Sequence, residues 1–137
     1  MKKFTSQTEI AAVVTGFETC TTPGEAFTHA RHLAVAVWYL NQYGEAEALN
    51  RLRSGLFRFL AHHGKGTQKY NETTTVFWLG KVREVMTELS PQVSIAEITN
   101  VVIRTYPHSR LILDYFSAEL LHSEAARSHW VEPDLKP

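Results

Sequence analysis

The chain is expected to be an all-α protein, a single-domain antiparallel bundle of about five to seven helices with an extended C-terminal tail. Three observations predict this. Apolar residues recur at three- and four-residue spacing, as in Ile10, Val13, Val14 and Phe17, or Leu49, Leu52, Leu56, Phe59 and Leu60. Glycine, proline and hydroxyl residues cut that pattern into helix-length segments. At 137 residues and 44% hydrophobic content, the chain suffices for one core but not for two ordinary domains, so residues 1–137 read as one unit.

The first helix runs from Gln7 to about Phe17, weakened at its end by Gly16 and the threonines near Cys20. Thr21-Thr22-Pro23-Gly24-Glu25 supplies a hydroxyl cap, a first-turn proline and an early carboxylate. These are expected to open a long second helix reaching Tyr43. Gly44 ends it with positive φ, and Glu45 begins a third helix carrying the Leu49–Leu60 stripe. His62 to Tyr70 reads as a loop, and Asn71 as the N-cap of a fourth helix that continues to about Leu89. Ser94-Ile95-Ala96-Glu97 has the capping-box pattern and starts a fifth helix, which Pro107 stops. Shorter helical regions from Ser109 to Leu121 and from Ser123 to about Trp130 precede the extended tail, Glu132 to Pro137.

Composition narrows the function classes. Fourteen Lys plus Arg balance fourteen Asp plus Glu, so no global field gathers nucleic acid or an anionic membrane, and neither is expected as a partner. Cys20 is the single cysteine, which rules out an internal disulfide or a cysteine zinc cluster. The Met1-Lys2-Lys3 start leads into no signal-like apolar run, and a soluble cytoplasmic protein is expected. The apolar run Leu33 to Leu40 falls far short of the ~20 residues that cross a bilayer. Gly64-Lys65-Gly66-Thr67 lacks the full phosphate-loop pattern, so a nucleotide-triphosphatase is rejected. Arg51, Arg53, Arg58, Lys65 and Lys69 form a local basic region that could bind an anion or RNA but reads first as a solvated face.

Short connections make consecutive helices antiparallel. The start of the second helix, the end of the third, the start of the fourth and the end of the fifth then share one end of the bundle. Those places hold Glu25, His29 and His32, then His62 and His63, then Asn71, Glu72 and Thr73 to Thr75, and finally Tyr106 with His108. Glu25, His29 and His32 are four and three residues apart, so all three are expected on one side of a helix. With Glu72 they form a candidate donor set for a divalent transition metal, since imidazole nitrogen and carboxylate oxygen suit such ions. Asn71 and Thr75 are candidate ligand contacts, and Trp38 and Trp78 candidate walls for a flat organic ligand. Each has a plainer role: first-turn carboxylates steady helix ends, histidines sit at core boundaries, and aromatics fill cores.

The phrases FTHARHLAVAVWYL, KYNETTT and SEAARSHWVEPDL resemble those of a group of small bacterial helical proteins of uncharacterised function. The likeness extends from about Phe27 to Leu135 and implies no particular activity. Members of that group commonly carry His where Asn71 stands; an amide there keeps its hydrogen-bonding capacity but replaces a metal-binding imidazole poorly. Two function classes follow. One is a polar His/Glu pocket at the bundle end, binding a divalent metal and a small organic ligand or substrate. The other is a non-catalytic helical module that self-associates into a homo-oligomer, with the same residues acting as helix caps.

Overall fold

The computed structural model describes residues 4–137. Among these, the α-helices are α1 (Gln7–Glu18), α2 (His29–Tyr43), α3 (Glu45–His62), α4 (Glu72–Thr87), α5 (Ile95–Thr105), α6 (Ala118–Leu121) and α7 (Glu124–Ser128). Three 3₁₀ segments, Gly24–Ala26, Thr67–Lys69 and Ser109–Asp114, lie between them, and the described residues contain no strand. Ser6, Thr28, Asn71, Ser94, Ser117 and Ser123 each accept the backbone N–H three residues on, satisfying a donor that the first helical turn leaves free. Only α3 lacks such a side chain, because Gly44 alone separates it from α2. At Gly44 φ is +85°, a left-handed turn that costs a residue without Cβ little.

The apolar run Leu33–Val37 is explained by the place of α2, which packs against α1, α3, α4 and α5. A helix with neighbours on so many sides needs no polar stripe, and Leu33, Ala34, Val35, Ala36 and Val37 are all buried in succession. Tyr39 is buried too, and its hydroxyl donates to the Glu18 carboxylate at 2.5 Å, tying α2 to α1. Phe17, Phe27 and Phe59 stack at one end of this core, with centroids 5.0 to 5.8 Å apart. No helix among the described residues is long and apolar enough to cross a membrane. The Met1–Lys3 start lies outside the described residues.

Two expected boundaries change. Glu25 does not belong to α2: Pro23 and Gly24 lead into a separate 3₁₀ turn, Arg31 donates a hydrogen bond back to the Ala26 carbonyl, and Thr28 is the true cap. Phe27, just before that cap, is buried and lies against the ring of His32, with centroids 4.1 Å apart. This is the arrangement of a hydrophobic staple, in which the residue before the cap packs on the fourth helical residue. The region Ser109–Leu121 is likewise not one helix, because Ser117 caps a new one after the 3₁₀ segment ends.

The tail folds back on its own chain. Thr73, fully buried at the start of α4, donates to the His129 carbonyl at 2.9 Å and accepts from the Val131 N–H at 3.3 Å. Farther along, Asp134 accepts from the Ser117 N–H and hydroxyl, and the Leu135 N–H donates to the Tyr115 carbonyl at 2.9 Å. A second apolar cluster of Phe77, Ile112, Phe116 and Leu121 lies beneath this segment.

Candidate functional site

The predicted convergence of helix ends is present. His29 in the first turn of α2 reaches the last residues of α5, its Nε2 lying 3.0 Å from the Tyr106 carbonyl oxygen. A carbonyl only accepts, so Nε2 carries the proton, and in the neutral ring Nδ1 is a bare acceptor. The ring stands edge-on to Trp78 of α4 at 4.8 Å. Burial lowers the His29 pKa, the Tyr106 carbonyl opposes that shift, and nearby His108 adds to it.

Between α2, α3 and α4 lies a cavity of about 320 Å³, with His29, His32, Trp78, Leu52, Leu56 and Ser109 among its walls. A second hollow, of about 390 Å³, extends from it toward Gly24, Lys65, Lys69, Tyr70 and Asn71. Phe27, His32, Leu56, Thr74 and Thr75 belong to both walls, so the two hollows adjoin along these residues as neighbouring lobes with His32 between them. Each lobe is within the size range of small-molecule sites. Both are lined mainly by hydrocarbon; the first also carries His29 and Ser109, and the second has Asn71, Lys65 and Lys69 at its edge.

His32 is the central group. The fold surrounds it closely enough that desolvation, with a smaller contribution from His29, lowers its pKa to about 4. Yet its side chain is exposed. These properties are compatible when the accessible surface faces a recess rather than open solvent, and His32 lines both lobes. Its ring nitrogens make no hydrogen bond among the described residues. At neutral pH it is an uncharged imidazole that offers one donor and one acceptor.

The remaining candidates divide clearly. Trp78 and Thr75 line the cleft, and Thr75 also donates its hydroxyl proton to the Asn71 carbonyl at 3.1 Å. Asn71 borders the second lobe, but its amide is engaged at both ends: Oδ1 accepts from the Thr74 N–H at 2.9 Å and Nδ2 donates to the Leu121 carbonyl at 2.8 Å. Trp38 packs against the main core instead of lining the cleft. Glu72 accepts from Arg53 Nε at 3.0 Å and Nη2 at 2.6 Å, and from the Tyr70 hydroxyl at 2.6 Å. The Arg53 guanidinium is the main cause of its lowered pKa. Glu25 is exposed on its 3₁₀ turn. Glu25, His29, His32 and Glu72 are therefore not brought together as one donor set. No group of three or more His, Cys, Asp or Glu side chains that could hold a metal occurs among the described residues.

Sequence reasoning passed over Phe27, Leu52, Leu56, Ser109, Lys65 and Lys69 as parts of the site. For Phe27 a signal existed, an apolar residue directly before a threonine cap and five residues before His32. Comparison with known proteins finds no family model, no curated relative and no solved structure that matches the chain.

Proposed function

We propose that the chain binds a small organic molecule in the cleft between α2, α3 and α4, with His29 and His32 as its polar contacts and Trp78 as an aromatic wall. The observation that carries this reading is His32, a neutral imidazole without a hydrogen-bond partner among the described residues, whose accessible face lines both lobes. The His32 ring is accessible and uncommitted, so a ligand can bond it without first breaking a hydrogen bond within the protein. His29 is held differently. Its bond to the Tyr106 carbonyl sets the ring's tautomer and leaves Nδ1 to accept from a hydroxyl, amide or protonated acid. The surrounding Leu33, Ala36, Leu52 and Leu79 favour an apolar body on the ligand.

The test is a fragment screen read on the protein itself, with histidine side chains carbon-labelled and their ring resonances followed by NMR. Fragments that occupy the cleft are expected to shift His29 and His32 together and to perturb the Trp78 indole. Filling the first lobe through Ala36→Leu is expected to abolish those shifts while the melting profile remains cooperative. A diverse fragment set that moves neither imidazole in the folded protein would sink the reading.

A further inference from the structure

The two lobes differ in charge, and that difference specifies the ligand further. Five basic side chains lie on or just after α3. Three are engaged: Arg51 bonds Glu47 at 3.0 Å, Arg53 bonds Glu72, and Arg58 Nε donates to the Glu18 carbonyl at 3.1 Å. The other two, Lys65 and Lys69, line the second lobe and form no ion pair with any described carboxylate. Glu72 is held by Arg53 and Tyr70, and Glu25 makes no ion pair with either lysine. Thr74 and Thr75 in the first turn of α4 line both lobes, so the lysines alone set the second lobe apart.

The first lobe carries no lysine or arginine. Leu33, Ala36, Leu52, Leu79 and Trp78 form its apolar wall, and the polar part of its lining is imidazole and hydroxyl. A ligand that fits both lobes has an anionic head and an apolar body of one ring or a short chain. We infer that the cleft selects a small organic carboxylic acid, its carboxylate between Lys65 and Lys69 and its hydrocarbon portion running past His32 to Trp78. The inference rests on the ligand-binding reading above and adds both the chemical class and the direction of binding. Lysine suits this role as a mobile point charge on an exposed rim, where a carboxylate keeps part of its water.

The experiment compares matched acids and amides, which share shape but differ in charge. Butanoate to decanoate and phenylacetate, each beside its primary amide, are titrated against the full chain by calorimetry at low salt. The best acid is expected to bind about tenfold or more tighter than its amide, the scale of charge-assisted hydrogen bonding. In the Lys65→Gln, Lys69→Gln double variant that ratio is expected to fall toward one, with amide affinity and melting temperature unchanged. Added salt is expected to weaken the acids and leave the amides alone.

Equal binding of acids and amides overturns the inference while leaving the ligand-binding reading intact. An acid preference that survives in the double variant overturns the lysine assignment. If neither acids nor amides bind while other fragments shift the His32 ring, the chemical class is wrong. If nothing binds and no fragment shifts that ring, both readings fall.

Discussion

Gly55 lies in the middle of α3, where alanine is ordinarily the better residue by about 1 kcal/mol. Its surroundings reverse that preference. A Cβ built at Gly55 would lie 2.4 and 2.6 Å from two ring carbons of Phe17. Phe17 has no room to retreat, being fully buried and stacked on both Phe27 at 5.0 Å and Phe59 at 5.8 Å. Overpacking of a filled core costs about 1–3 kcal/mol, and a contact this short belongs at the upper end. Gly55→Ala is therefore expected to lose about 2 kcal/mol net, or roughly 6–8 °C of melting temperature in a domain of this size. Gly80, inside α4, is the internal control, since a Cβ there meets nothing within 4 Å. Gly80→Ala is expected to gain about 0.5–1 kcal/mol. Thermal and urea denaturation of the two variants beside the parent test both signs. A Gly55→Ala protein as stable as the parent would refute the claim that the Phe17–Phe27–Phe59 stack is rigid. That rigidity matters beyond stability, because Phe27 is also a wall of the cleft.

Two further outcomes follow from the hydrogen bonds and ionisation described above. Thr73→Val keeps the side-chain shape but strips the His129 carbonyl and the Val131 N–H of their shared partner; a loss of about 2 kcal/mol is expected, with faster proteolysis confined to the C-terminal segment, and unchanged digestion would count against this tether. The pH dependence is set by His32, whose imidazole titrates near 4 in the fold against an ordinary 6.5. Between those values the unfolded chain binds the proton more readily, so stability is complete above about 6.5 and declines as pH falls toward 4. Because His32 is exposed, solvent screening reduces the expected change between about pH 7 and pH 5 to about 1 kcal/mol. Urea unfolding at the two pH values measures it, and a His32→Gln variant with the same slope would show that another group is responsible.

Helix ends were readable because each depends on a few adjacent residues. Asn71, Ser94 and Gly44 act as their sequence context implies, and Pro107 comes directly after Tyr106, the C-cap of α5. Glu25 was misplaced because a Pro-Gly pair opens a 3₁₀ turn as readily as an α-helix, and the deciding event is the burial of Phe27 three-dimensionally, against His32 and Phe59. Half of the cleft was visible for a related reason: His29, His32, Thr75 and Trp78 are chemically conspicuous. Leu52 and Leu56 were not, because apolar periodicity shows which face turns inward and cannot show whether that face meets another side chain or a recess. Lys65 and Lys69 looked like solvated residues, and Glu72 looked like a first-turn carboxylate. Which cation claims which anion is settled by a pairing across nineteen residues, that of Arg53 with Glu72, and local spacing carries no record of it.

The three consecutive threonines of α4 have a practical bearing on how the protein is handled. Successive residues of a helix point about 100° apart, so one turn serves two surroundings: Thr73 holds the returning C-terminal segment while Thr74 and Thr75 form cleft wall. Leu135 fastens the same segment a second time, at the Tyr115 carbonyl. Proteolytic nicking between Val131 and Leu135 during preparation therefore loosens a strap whose other end is fastened beside the cleft wall. A ligand assay on nicked protein would report that loss together with the cleft's own chemistry.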